Sequence, residues 1–195
     1  MAQPSESDSS SNAPQPKAVK NDPTGGKGSF ALISDIHGNV DALKIVLADI
    51  KERGVNRICC LGDIIGYGPN PCECLDLVME NCEWALMGNH DFAALYEPTA
   101  FNASAEAAAF WTRRQFELEE DPVKRRKRWE YLGSLEIRHH FHGTLCVHAS
   151  PRRPINEYVF PDDVITSPSK MAQIFDRIEK QSHYSEDKTE KGWFS

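Results

Sequence analysis

This 195-residue chain has no apolar run long enough to cross a bilayer, and no basic start leading into an apolar stretch of the kind that directs secretion. Membrane spanning and export are therefore not expected, and the cytoplasm is the expected location. Positive charge is also in short supply. Lys and Arg number 22 against 29 Asp and Glu, a net charge of −7 that argues against nucleic acid as an obligate partner. The six cysteines form neither paired C-x-x-C knuckles nor the framework of a secreted scaffold. Cys59, Cys60 and Cys146 sit in strand-like runs, as small apolar core residues do. Cys72-Glu73-Cys74 can be read as a soft-metal or redox pair. Asn70-Pro71-Cys72-Glu73, however, carries the cap residue, the first-turn Pro and the acidic residue of a helix start, and that reading is preferred.

What the chain does have is ordinary globular composition, 40% hydrophobic and 26% charged, in one domain's worth of residues. Residues 1–28 are rich in Ser, Pro, Asn, Asp and Gly and read as a disordered arm. Residues 29–195 read as the folded domain. Phe30 to Ser34 is strand-like. Asn39 to Arg53 then repeats Leu43, Val46, Leu47 and Ile50 at helical spacing and stops at Gly54. A strand over Arg57 to Leu61, a helix from Pro71 to about Glu80 and a strand over Glu83 to Met87 complete a β-α-β-α-β run, which predicts a parallel sheet. Helices are expected near Asn102 to Glu119, Pro122 to Leu132 and Ser169 to Lys180, the first two as a helical insertion beside the site. Strands are expected at Ser134 to Arg138 and Thr144 to Val147.

Metal-ligating residue types cluster at the carboxyl ends of these strands. Asp35-Ile36-His37, Gly62-Asp63, Gly88-Asn89-His90-Asp91 and Val147-His148 each come directly after such a run. Loops beyond the carboxyl ends of parallel strands converge on one crevice. Carboxylate and amide oxygens mixed with imidazoles, without thiolate, suit Mn²⁺, Fe, Zn²⁺ or Ni²⁺. A carboxylate such as Asp63 can bridge two ions about 3.5–4 Å apart, the separation used in phosphoryl displacement. Singly, Asp35 and Asp63 also read as cap or turn residues, Asn89 as a turn and His148 as a structural histidine. Their ordered occurrence favours the metal reading.

At these residues the sequence resembles the calcineurin-like metallophosphoesterase superfamily, whose pattern is D-x-H, G-D, G-N-H-[DE], a lone His and G-H-x-H. ISDIHGNVDAL, LGDIIGYGPNP, MGNHDFA and VHASPR look most like its bacterial diadenosine tetraphosphatase-like or phosphodiesterase-like branch, over roughly Phe30 to Asp176. The resemblance implies a layered α/β/β/α fold of the α/β class, a soluble hydrolase of small phosphomonoesters, phosphodiesters or nucleotides, and two divalent ions, Mn or Fe, Zn or Ni. Asp35 and His37 would hold the first, Asp63 would bridge, and Asn89 and His148 would hold the second. His90 would be the general acid, held by Asp91 or another nearby carboxylate.

The chain departs from the pattern in lacking Gly-His-x-His. Each ion is then expected to lose one protein ligand and to bind less tightly, and the domain is expected to be incomplete at its C-terminus. The competing class is a weakly metal-binding, non-catalytic remnant. The one later histidine, His183, lies in a polar stretch and reads as solvated. Asn39, Tyr67 and Asn70 are the expected substrate contacts. Gly66-Tyr67-Gly68-Pro69-Asn70 replaces the G-D-x-x-D-R-G of protein serine/threonine phosphatases, so the bidentate phosphate-gripping Arg is absent and that activity is disfavoured. Lys124 to Arg128 follows Glu117, Glu119, Glu120 and Asp121 and reads as a compensated, solvated face rather than a nucleic-acid patch. His139, His140 and His142 read as exposed turn residues without a carboxylate partner.

Overall fold

A computed structural model describes residues 28–98 and 101–185, with side chains as far as 178. The proposed arm, apart from Gly28, lies outside the described residues, as does the side chain of His183. The β-α-β-α-β run is present: β1 (Phe30–Ile33), α1 (Val40–Glu52), β2 (Arg57–Cys60), α2 (Pro71–Asn81) and β3 (Trp84–Ala85). The three strands are parallel in the order β1-β2-β3, Ile33 opposite Cys60 and Cys60 opposite Ala85. Their carboxyl ends therefore share one edge.

The helices begin and end for local reasons. The Asn39 side chain accepts the Ala42 N–H at the start of α1, and Gly54 takes a φ of 70° just after its end. Pro71 occupies the first turn of α2. Leu43 and Ile50 of α1, Cys74, Leu75 and Val78 of α2, and Ile58 and Cys60 of β2 belong to one buried core. Cys59 and Cys60 are fully buried, as expected, and burial raises the Cys59 thiol to about 12. Such thiols are not reactive ones.

Four expectations change. Gly88 to Asp91 is not a loop: a helix, α3 (Asn89–Leu95), starts at Asn89 itself, followed by α4 (Ala103–Glu117) and α5 (Pro122–Gly133). Ser134 to Arg138 forms only an isolated parallel bridge, Glu136 to Leu86, because β3 is short and offers little further edge. His139 and His140 lie in β4 (His139–Phe141), antiparallel to β5 (Thr144–Cys146), rather than in a turn. His139 stacks on Trp84 with centroids 4.2 Å apart and its Nδ1 meets Glu136 Oε2 at 2.8 Å, so it does have a carboxylate partner. Only His142 is at the turn, with a φ of 49°. Finally, Arg128 is not solvated. Its guanidinium takes both oxygens of Asp76, at 3.0 and 2.7 Å, and Glu119 at 2.6 Å, tying α5 to α2.

The chain ends its described course in α6 (Asp163–Thr166) and α7 (Pro168–Ser185). The fold is mixed α/β, with a parallel sheet and flanking helices. Among the described residues the second sheet is the β4-β5 hairpin alone, packed on the first through Phe141, Trp84 and Phe30, so the four expected layers are present only in part. No helix among the described residues is long and apolar enough to cross a membrane.

Candidate metal centre

Five side chains meet at the carboxyl edge of the sheet. Potential ligand atoms of His37, Asp63 and His90 lie within 4.8 Å of one another, and so do those of Asp35, Asp63 and His148. Asp63 is common to both groups. Its Oδ2 stands 3.6 Å from His37 Nε2 and 3.5 Å from His148 Nε2, while Oδ1 accepts the backbone N–H of His90 at 2.8 Å. Asn89 joins the second group, its Oδ1 3.2 Å from His148 Nε2. All five residues expected as ligands thus converge, but the groups cut across the expected pairs: Asp35 falls with His148, and His37 with His90.

The backbone is bent to achieve this. Five non-glycine residues among those described have left-handed φ, and four are here: Asp35 (55°), His37 (49°), Asp63 (54°) and Tyr67 (56°). Such conformations cost of order 1–3 kcal/mol each and persist only where the surroundings enforce them. The enforcement is visible. His37 N–H donates to Asp63 O, Gly38 N–H to Ile64 O and Asp35 N–H to Gly62 O, stitching the β1 loop to the β2 loop. Glycines allow the approach. A Cβ on Gly62 would stand 2.7 Å from Gly88 N and 2.9 Å from His148 Nδ1, and one on Gly88 would stand 2.0 Å from Asp63 Oδ1.

His148 is oriented from behind, its Nδ1–H donating to Leu61 O at 2.8 Å, which turns Nε2 toward Asp63 and Asn89. That is how ligating histidines are held. Burial pushes the His148 pKa down, but the Asp63 carboxylate outweighs it and lifts the value to about 9. Burial would raise Asp63, and His148 with the His90 N–H brings it below the usual range. Both directions say that two oxygens and an imidazole nitrogen are crowded here in want of positive charge. The 3.5–3.8 Å separations among Asp35, His37, Asp63 and His148 are too long for strong hydrogen bonds. They leave room for an ion at the usual bond length of about 2.0–2.2 Å. His37 Nδ1 and His90 Nδ1 are buried without a hydrogen-bond partner. The donor set fits divalent metal.

Two other expected roles change. Asp91 does not hold the His90 ring: its Oδ1 accepts the N–H groups of Ile64 and Ile65, at 3.0 and 3.2 Å, and its Oδ2 that of Gly88, at 2.9 Å. It is fully buried and fastens the β2 and β3 loops to each other. Burial, with nearby Asp63, raises its carboxyl to about 7 against the opposing N–H groups of Gly88 and Ile65. Burial also lowers the His90 pKa, with Asp63 opposing. Asn39 is occupied as a helix cap. Tyr67 is exposed and its ring lies 4.3 Å from that of His90 and 5.1 Å from that of His37. Asn70 sits at the head of α2 with no side-chain cap bond. Phe101, which nothing in the motif pattern singles out, lies 4.8 Å from His90. Arg152, just past His148, is engaged by Glu157 and Gln173.

A family model described as calcineurin-like phosphoesterase matches residues 28–194. An uncharacterized protein of Methanocaldococcus jannaschii is 41% identical over 146 residues, 71% of this chain and 56% of that protein. A symmetrical bis(5′-nucleosyl)-tetraphosphatase of Sodalis glossinidius is 32% identical over 114 residues, half of this chain and 40% of that one. Among solved structures, a metallophosphoesterase from Sphaerobacter thermophilus superposes with a TM-score of 0.58 at 36% identity, over 76% of this chain and 55% of that one. The chain spans about half the length of the relatives it matches.

Proposed function

The chain belongs to the calcineurin-like phosphoesterase family, and from that membership and the geometry above we propose that it hydrolyses small phosphomonoesters, phosphodiesters or nucleotides with the help of two divalent ions. The observation that carries the reading is the placement of Asp63 Oδ2 between His37 Nε2 and His148 Nε2, 3.6 and 3.5 Å away. One carboxylate oxygen equidistant from two imidazoles is the arrangement of a bridging ligand. In this reading Asp35 and His37 would hold one ion and Asn89 and His148 the other, with Asp35 near enough to His148 to serve either. Mn²⁺, Fe, Zn²⁺ or Ni²⁺ suits this mixture of hard oxygen and imidazole. Such ions supply Lewis acidity toward the phosphoryl oxygens and the attacking water.

The protein's own part is positioning and proton transfer. Asp63 Oδ1 is fixed by the His90 N–H, so the carboxylate cannot swing away when charge develops. The Nδ1 side of His90 is packed against Gly66, where a Cβ would lie only 2.7 Å from it, and Nε2 is left to hand a proton to the leaving oxygen. An anionic phosphate beside the ring counters the lowering of its pKa by burial. No arginine occupies the loop from Gly66 to Asn70, which favours small esters over phosphoprotein substrates.

Metal analysis after loading with Mn²⁺, alongside hydrolysis of an aryl phosphoester, tests the proposal. Asp63→Asn should lose both metal and turnover. Two retained ions with unchanged turnover in that variant would refute the bridging role, and no metal uptake by the wild type would favour a non-catalytic protein.

A further inference from the structure

His90 stands among rings drawn from three parts of the chain. Tyr67, from the β2–α2 loop, approaches it at 4.3 Å and 49°, Phe101, from the approach to α4, at 4.8 Å and 46°, and His37 at 4.9 Å and 86°. Tyr67 is 55% exposed and is held at a φ of 56°. A large ring kept half in water on a strained backbone, against two histidines of the site, adds nothing to the core. A smaller or more flexible residue would satisfy that turn at lower cost. Phe101 is half-buried and lies outside the main hydrophobic core, with His90 as its ring contact among the described residues. Two aromatic side chains from elements far apart in sequence thus flank the histidine assigned to the leaving group.

We propose that Tyr67 and Phe101 form a stacking platform for a flat heteroaromatic group on the leaving-group side of the substrate, so that the site takes phosphoesters bearing a nucleobase-like ring. The inference rests on the phosphoesterase reading, since that reading puts the leaving group beside His90. A ring laid on such a platform trades water for an aromatic face, a gain that a bare sugar or short alkyl group cannot match. It tolerates any base, because every base has a π-face.

Adenosine 5′-monophosphate and ribose 5-phosphate test this, because they share the phosphate ester and sugar and differ only in the base. In calorimetric titration of the Mn²⁺-loaded protein, the nucleotide should bind about tenfold or more tightly, the usual worth of one stacked base. Phe101→Ala and Tyr67→Ala should each bring the ratio toward one, while Phe101→Trp should keep it. Tyr67 is exposed, so its variant is informative even if Phe101→Ala folds poorly. Equal binding of the two probes by the wild type, or a ratio unmoved in both alanine variants, would overturn the platform. Absence of phosphoester turnover alongside a retained nucleotide preference would overturn the hydrolase reading instead.

Discussion

Gly88→Ala tests whether the site depends on close approach of its loops as well as on its ligands. A methyl there would stand 2.0 Å from Asp63 Oδ1, 2.2 Å from Asp63 N and 2.7 Å from Asp63 Cγ. Ordinary contact begins near 3.4 Å, so something must move by more than about 1 Å. Gly88 itself has an unstrained φ of −82°, which makes the penalty wholly steric. Asp63 has nowhere to retreat. Its Oδ1 accepts the His90 N–H at 2.8 Å, its carbonyl accepts the His37 N–H at 3.0 Å, and its own φ is 54°. Overpacking costs about 1–3 kcal/mol, and losing the charged hydrogen bond from His90 adds about 1.5–3 kcal/mol. Together these come to about 2.5–6 kcal/mol, which lowers Tm by about 5–24 °C in a domain of this size. Mn²⁺ affinity should fall by about 10–100-fold, as it does when a group that orients a ligand is disturbed. Thermal denaturation followed by circular dichroism, with Mn²⁺ titration of the folded variant, reads both effects. Gly133→Ala is the control: its Cβ meets nothing within 4 Å at the end of α5, so it should be neutral or stabilising by up to about 1 kcal/mol. Wild-type Tm and Mn²⁺ affinity in Gly88→Ala would refute the reasoning.

His90→Ala should hold its metal content while the hydrolysis rate falls by about 10²–10⁴-fold, most for substrates with poor leaving groups. Parallel loss of metal would instead make His90 a ligand, as its grouping with His37 and Asp63 permits. Asp91→Ala strips an acceptor from three backbone N–H groups and should cost at least about 3 kcal/mol in urea denaturation; a smaller change would mean that those groups find other acceptors. Arg128→Ala should cost about 1–3 kcal/mol, discounted because Asp76 is partly exposed. It should also flatten the acid limb of the stability curve. The hydrogen bond from Arg128 holds the Glu119 pKa below 4.5, so its stabilisation is full above that pH and lost as pH falls through and below it. An acid limb unchanged in Arg128→Ala would show that other carboxylates govern it.

The parts of the fold legible in the sequence are those that neighbours in the chain decide. The spacing of Leu43, Leu47 and Ile50 marks α1, Gly54 its end and Pro71 the start of α2. The convergence of Asp35, His37, Asp63 and Asn89 comes from strands that must be parallel if helices join them, whereas His148 arrives from the antiparallel β4-β5 hairpin. The hidden parts depend on residues far apart. His139 has the composition of a turn until Trp84, 55 positions earlier, stacks on it. Arg128 belongs to a basic run until Asp76, on another helix, claims it. Phe101 carries no motif, and its contact with His90 exists only once α3 and α4 are packed together.

Asp91 shows how one local misreading redirects a mechanism. If Gly88 to Asp91 were a loop, adjacent His90 and Asp91 would be natural partners, a general acid and the carboxylate that steers it. Seven residues, from Asn89 to Leu95, are too few for a period to declare itself, yet they are helical. Successive side chains on a helix diverge by about 100°. His90 therefore faces the candidate ligands His37 and Asp63, while Asp91 turns inward to the N–H groups of Ile64, Ile65 and Gly88. Orientation of the His90 ring must come from what touches it: Gly66 beneath Nδ1, and Tyr67, His37 and Phe101 around its faces. Steric confinement thus replaces the expected hydrogen bond, and Asp91 acts on the site only by holding the loop that carries Asp63 against the start of α3, which carries His90.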